Sequence, residues 1–186
     1  MPDKWLELSR HNATSEAIET YIYDTPEDAV LKYLINFQLP HDIVDTLTSE
    51  MLEIRCISEA SFCRELYMNE QQIRKLTKTG HIIGNHGHSH TPFSRLTKGD
   101  LENETQKSKS YFEEVTGRPQ NWVSYPHGRK WALPQDIEDF CTHSEFIIGL
   151  GLDGGWNRGQ ESPYCLNRIN ENDVTDMHYP SKTEDF

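Results

Sequence analysis

The sequence predicts an α/β fold with a parallel sheet, preceded by an N-terminal helical segment. Up to about residue 70, apolar residues recur at helical spacing. From Gly80 onward, short apolar runs that end in glycine or proline alternate with helical stretches. Such alternation is typical of strand–helix–strand units whose strands lie parallel in one sheet. The chain has 186 residues, enough for one domain with a hydrophobic core.

Three helices are expected before Gly80. The first begins at Pro26, because the hydroxyl of Thr25 can cap it and acidic residues follow in its first turn. The second begins near His41, and the third begins after Asn69 and stops at Gly80. None of these segments carries a chemical signature, so we interpret their apolar faces as packing surface.

Strands and helices are expected to alternate after Gly80. In chain order they are a strand at 81–84, a helix at 96–116, a strand at 122–125, a helix at 134–143, and strands at 146–152 and 166–169. One face of the long helix should be buried, and it carries Leu101, Thr105, Ser108, Phe112 and Val115.

Composition excludes several classes of partner. The net charge of -12 makes the chain a poor candidate for binding nucleic acid or an anionic membrane. No apolar run approaches the ~20 residues that span a bilayer, and the N-terminus lacks the pattern of a signal peptide. We therefore expect a cytoplasmic protein. The four cysteines are scattered without a C-x-x-C pair, as is typical of reduced thiols.

The densest chemical signal is the segment Gly80–Pro92, which holds four histidines. His86 and His90 lie four residues apart behind a short apolar run, a spacing at which two imidazoles can face one divalent ion. Imidazole suits zinc well, and a bound metal can generate hydroxide from water near neutral pH. The segment therefore indicates metal-assisted hydrolysis. His88, between the two, should point to solvent.

From about residue 66 to residue 175, the chain resembles the polysaccharide deacetylase family, also called the NodB-homology or carbohydrate esterase 4 group. Gly80–His90 is similar to the family's second motif, in which two histidines hold the metal. The resemblance therefore assigns His86 and His90 as metal ligands, with zinc the expected divalent metal. Residues 115–119 and 166–169 are also similar to family segments.

Val123–Gly128 resembles the family's third motif, an aromatic–proline–x–glycine loop that lines the substrate groove. A backbone N–H in this loop helps to stabilise the oxyanion, and the resemblance makes His127 the matching catalytic candidate. The substrate-binding residues implied here are Trp122, Tyr125, Pro126 and Gly128. Packing against the sheet is an equally good interpretation of Trp122 and Tyr125.

The resemblance also implies a fold and an activity. The fold is a partial or distorted (β/α) barrel, with residues 1–65 as an insertion-like helical segment and residues 66–186 as the deacetylase-like core of a single domain. The activity is that of a hydrolase acting on a non-peptide carbon–nitrogen bond. Its substrate is an N-acylated sugar or glycan, from which it removes the acyl group, typically acetyl.

The chain departs from the family in its acidic residues. Members open with a strand ending in threonine-phenylalanine-aspartate-aspartate-glycine, whose aspartates supply the base and the third metal ligand. This sequence has no such motif, and its last residues lack the family's late leucine-histidine motif. Gly87 replaces the usual serine or threonine, and Ser124 replaces the usual arginine.

Two consequences are expected from these departures. We expect the chain to begin after the catalytic strand, which would impair hydrolysis and leave sheet edges exposed for association into oligomers. The alternative is a non-catalytic carbohydrate- or partner-binding protein on a decayed or truncated deacetylase scaffold.

Overall fold

The computed structural model describes residues 14–169 and Val174. The chain clusters into two compact units, Met1–Tyr67 and Met68–Phe186. The predicted organisation into residues 1–65 and 66–186 within one domain stays a prediction. Among the described residues, no helix combines the length and the apolar character needed to cross a bilayer.

The described part of the first unit is helical, as predicted. Its helices are α1 (Thr14–Thr20), α2 (Pro26–Tyr33), α3 (His41–Ile54) and α4 (Glu59–Leu66), and a π turn, Leu34–Gln38, extends α2. The predicted start of α2 is confirmed. The N–H of Asp28 donates to the hydroxyl oxygen of Thr25 at 3.2 Å, and Pro26 occupies the first turn.

The second unit contains three α-helices, two short strands and two 3₁₀ turns, Phe93–Arg95 and Lys130–Ala132, among its described residues. The helices and strands are α5 (Glu70–Lys78), α6 (Lys98–Thr116), β1 (Trp122–Ser124), α7 (Ile137–His143) and β2 (Ile148–Leu150). Asn69 caps α5 as predicted, in a reciprocal capping box with Gln72. Gly117 ends α6 in the left-handed conformation that glycine adopts without a steric penalty.

The strands form a partial parallel sheet, which confirms the predicted α/β class. β1 pairs with β2 in parallel, with Val123 opposite Gly149. A parallel bridge joins Asn85 to Val123, and another joins Leu150 to Leu166. The order across the sheet is therefore Asn85, β1, β2, Leu166, which follows the order of the chain. This arrangement places the residue before His86 directly beside β1.

Two predicted strands, 81–84 and 166–169, are wrong in extent: the first has no strand residue and is followed by a single bridge at Asn85, and the second is reduced to the bridge at Leu166. At the first, the N–H of His81 still donates to the carbonyl of Leu76 at the end of α5, so the backbone is leaving the helix there. At the second, the N–H of Asn167 donates to the side-chain oxygen of Asn157 at 2.9 Å. The next bond of the ladder would run from the N–H of Arg168 to the carbonyl of Gly151, and that carbonyl instead accepts from the side-chain Nε of Arg168 at 2.6 Å.

The core of the second unit lies between the sheet and helices α6 and α7. Its buried residues are Phe93, Leu101, Val123, Tyr125, Leu133, Phe140, Cys141 and Phe146. The predicted buried face of α6 is confirmed for Leu101, Thr105, Ser108 and Val115. The same face also buries two charged residues, Glu104 and Lys109, which the apolar pattern does not reveal. Lys109 donates to the carbonyl of Ser144 at 2.7 Å, just after α7.

Candidate active site at the histidine loop

Three imidazole rings lie together beside the carboxyl end of β1. The ring centroids of His86 and His90 are 4.9 Å apart, and those of His90 and His127 are 4.7 Å apart. We call residues 86–90 the histidine loop. The structure thus brings together the two predicted metal ligands and the predicted catalytic residue, although 37 residues separate His127 from His90 in the chain.

The orientation of His86 is fixed by the end of β1. Its Nδ1 lies 2.5 Å from the carbonyl oxygen of Ser124. A carbonyl can only accept, so Nδ1 carries the proton in this contact and Nε2 keeps its lone pair. Histidines that bind metals almost always donate their other ring N–H in this way. The contact therefore prepares Nε2 of His86 to act as a ligand.

His90 and His127 both have left-handed backbone conformations, with φ angles of 61° and 62°. For residues with a Cβ, this conformation costs roughly 1–2 kcal/mol. Such local strain is concentrated at functional sites, where the surrounding structure holds it in place. Here the two strained residues are the ones whose rings meet.

The environment of the cluster favours neutral imidazoles. Burial and, after it, charge repulsion from the neighbouring His90 lower the pKa of His127 from 6.5 to about 4. Burial also lowers the pKa of His90, with a smaller contribution from the charge of His86. Near pH 7, His90 and His127 are therefore uncharged, which is the form in which imidazole binds metals.

The pKa of His127 predicts a pH-dependent stability. The unfolded chain binds more protons than the folded chain between pH 6.5 and about pH 4, because the folded-state pKa is the lower one. We therefore expect the free energy of unfolding to fall as the pH is lowered through this window. Urea unfolding followed by tryptophan fluorescence at several pH values measures it.

The matched variant for this prediction is His127→Asn, because asparagine tolerates a left-handed backbone better than most residues. We expect the variant to lose a substantial part of the pH dependence between pH 6.5 and about pH 4. An unchanged slope in the variant would contradict the assignment to His127.

The predicted substrate-binding residues are placed mainly in the core. The side chain of Tyr125 is fully buried, and its hydroxyl donates to the carbonyl of Tyr164 at 2.6 Å. Its ring therefore has no open face for a sugar, and the packing interpretation describes it better. Pro126 and Gly128 are also buried, whereas Trp122 is only partly buried.

Gly128 shapes the turn that follows His127. Its φ angle is +59°, and an added Cβ would lie 2.7 Å from the Cβ of Leu152. The carbonyl of Gly128 accepts from the N–H of Leu152 at 2.7 Å, which ties the turn to the segment after β2. The glycine therefore serves the geometry of the loop that carries His127.

Two residues that neighbour the site, Trp131 and Glu104, were not among the residues predicted for it. Trp131 is 47% exposed, and its ring centroid lies 6.0 Å from that of His127 at an interplanar angle of 31°. Glu104 of α6 lies beneath the histidine loop and accepts hydrogen bonds from it. The indication in the sequence was the spacing: Glu104 lies three residues after the buried Leu101, so both are expected on the same face of the helix. His88 is exposed, as predicted.

The residues present fit two positions of a metal site. His86 and His90 supply ring nitrogens from adjacent rings, whereas a catalytic zinc normally has three protein ligands and a water. Within residues 14–169 and Val174, no group of three or more histidine, cysteine, aspartate or glutamate side chains is arranged to hold a metal ion. The described part of the chain therefore offers an incomplete ligand set.

Comparison with known proteins finds a matching family and two similar proteins. A model of the family described as polysaccharide deacetylase matches residues 43–138, just over half of the chain. The chain is 26% identical over 107 residues to the uncharacterized protein YlxY of Bacillus subtilis (strain 168), covering 55% of this chain and 33% of that protein. It is 24% identical over 71 residues to a peptidoglycan-N-acetylglucosamine deacetylase of Bacillus cereus, covering 35% of this chain and 26% of that protein.

A solved structure is similar as well. The deacetylase domain of BpsB from Bordetella bronchiseptica superposes with a TM-score of 0.48 at 17% identity, covering 55% of this chain and 48% of that one. The chain spans a third or less of the length of the curated relatives it matches.

Proposed function

Because this chain belongs to the polysaccharide deacetylase family, we propose that it takes part in removing an N-acyl group from a carbohydrate, with His86 and His90 as ligands of a divalent metal, zinc. The contact between Nδ1 of His86 and the carbonyl of Ser124 carries this proposal, since it leaves Nε2 of His86 free to bind a metal, while the ring of His90 lies 4.9 Å away. The substrate proposed is an N-acetylated sugar or glycan.

The chemistry divides between the metal and the protein. A divalent metal at these histidines would acidify a water molecule and polarise the acyl carbonyl. In the proposal, the backbone at His127 provides a donor for the oxyanion. The exposed face of Trp131 provides an apolar surface against which a sugar ring can lie next to the three histidines.

Acidic groups are the missing part of this proposal. Hydrolysis also needs a general base for the water and an acid for the leaving amine, and the histidine cluster contains no carboxylate among the described residues. We propose that such carboxylates come from a segment that these 186 residues do not contain or from a partner chain. The 186-residue chain alone should then bind metal but hydrolyse the substrate slowly.

The test combines metal binding with turnover. Calorimetric titration of the 186-residue chain with Zn²⁺ is expected to show one site, and chelation should reverse the binding. Release of acetate from N-acetylglucosamine oligomers, measured with and without added Zn²⁺, then tests the reaction. The absence of both metal binding and acetate release would reject the proposal for this chain.

The incomplete ligand set favours one second candidate, a non-catalytic carbohydrate-binding protein on the same scaffold. It predicts that N-acetylglucosamine oligomers bind equally well before and after chelation and release no acetate. It also predicts that replacing His86 leaves this binding unchanged. Sugar binding that requires the metal would instead support the deacetylase proposal.

A further inference from the structure

Glu104 is a charged residue that the fold buries beneath the histidine loop. Its side chain is 9% exposed, on the face of α6 that packs against the core. Burying a carboxylate is costly unless hydrogen bonds or an opposite charge compensate. The N–H of His88 donates to its Oε1 at 2.6 Å, and the N–H and hydroxyl of Ser89 donate to the same oxygen. All three donors therefore lie between His86 and His90.

A second contact fixes the start of the loop to the same helix. The side chain of Asn85 is buried, its Nδ2 donates to the carbonyl of Thr105 at 3.2 Å, and its Oδ1 accepts from the N–H of Gly87 at 2.9 Å. Asn85 also forms the bridge to Val123 of β1. The loop is therefore attached to consecutive residues of α6, Glu104 and Thr105, and to the sheet.

Gly87 allows the carboxylate to come this close. Its φ angle is +75°, and an added Cβ would lie 3.1 Å from Oε1 of Glu104 and 3.2 Å from the ring of Phe93. Glycine is the residue that adopts this backbone without strain and leaves room for the carboxylate. Gly87 stands where the family usually has serine or threonine. Here it leaves the space in which the carboxylate of Glu104 reaches the loop.

We propose that Glu104 is a positioning residue, which holds the histidine loop so that the rings of His86 and His90 face a common point. Hydrogen bonds to an ionised acceptor are about twice as strong as neutral ones, and three of them converge on one loop. That Glu104 promotes metal binding by this means rests on the proposed function. That Glu104 fixes the orientation of His86 does not, because it concerns the protein without metal.

The test compares Glu104→Gln with Glu102→Gln. Both substitutions remove one charge from α6 and keep the side-chain size, but Glu102 is exposed and, two positions before Glu104, lies on another side of the helix. In Glu104→Gln we expect the affinity for Zn²⁺ to fall on the order of 10-fold, the lower end of the loss that is typical when a residue that orients metal ligands is replaced. Glu102→Gln should bind Zn²⁺ as the unmodified chain does.

A spectroscopic measurement without metal separates positioning from mere stability. Long-range ¹H–¹⁵N correlation spectra report which ring nitrogen of His86 carries the proton. In the unmodified chain and in Glu102→Gln, the proton should reside on Nδ1, and in Glu104→Gln the two tautomers should mix. An unchanged His86 signature in a folded Glu104→Gln protein would overturn the proposal.

Hydrogen exchange on the unmodified chain keeps the proposal testable if Glu104→Gln fails to fold. The amides of His88 and Ser89 should exchange slowly, since both donate to a buried carboxylate. Exchange at the rate of a free loop would overturn the proposal. If the chain binds no Zn²⁺ while these amides are protected and His86 keeps its tautomer, the proposed function fails and the positioning role of Glu104 stands.

Discussion

Replacing His86 with alanine is expected to weaken Zn²⁺ binding by at least about 100-fold. Loss of an outer partner of a metal ligand typically costs 10–100-fold in affinity, and His86 is proposed as a ligand itself. Its ring is oriented by the carbonyl of Ser124 and lies next to His90. The substitution leaves His90 as the remaining ligand of the proposed pair. Calorimetric titration with Zn²⁺ measures the change.

His88→Ala is the matched control for this prediction. His88 lies in the same loop, is exposed, and contributes to the loop through its backbone N–H, which alanine retains. The control should bind Zn²⁺ with the affinity of the unmodified chain. Equal losses in His86→Ala and His88→Ala would show that the loop binds metal without a defined pair of ligands, which contradicts the proposed site.

Gly149→Ala is expected to have the largest effect on stability, a loss of about 3 kcal/mol in the free energy of unfolding. Gly149 lies in the middle of β2, where an added Cβ would overlap the carbonyl oxygen of Tyr164 and the hydroxyl of Tyr125. The atoms in the way are a backbone carbonyl and the buried end of a rigid ring. Neither can move without disturbing the bridge between β2 and Leu166.

Gly151→Ala provides a close comparison, two residues further along the chain. The nearest atom to an added Cβ at Gly151 is the carbonyl oxygen of Gly128 at 3.4 Å, an ordinary contact distance. We expect this variant to unfold at nearly the same urea concentration as the unmodified chain. If Gly149→Ala were as stable as Gly151→Ala, the packing of Tyr125 and Tyr164 against β2 would be wrong.

The helices could be predicted well from the sequence because their signals are local. Thr25 and Pro26 start α2, Asn69 caps α5, and Gly117 ends α6, each through bonds or backbone angles within one turn. The short strands were predicted less well. A strand needs partners distant in the chain, and here the N–H of His81 bonds to Leu76 while the carbonyl of Gly151 accepts from the side chain of Arg168. Periodicity cannot show such competition.

The candidate site was predicted in part. The loop that carries His86 and His90 is contiguous, so its residues could be found in the sequence. The rings of His127 and Trp131 reach it only through the turn after β1. For Tyr125, resemblance to a motif left substrate contact and packing equally open, because the sequence does not show which way its side chain faces. Here its hydroxyl bonds to Tyr164 in the core.

By itself, the sequence determined the α/β class, the starts of α2 and α5, the end of α6 and the pair of histidines, because caps, glycines and four-residue spacing act over short stretches of chain. The tertiary structure decided which groups surround that pair. It brought Ser124 to the Nδ1 of His86 and buried Glu104 beneath the loop. These contacts join residues that lie 16 to 38 positions apart. They form only when burial of the core packs α6 and the sheet together.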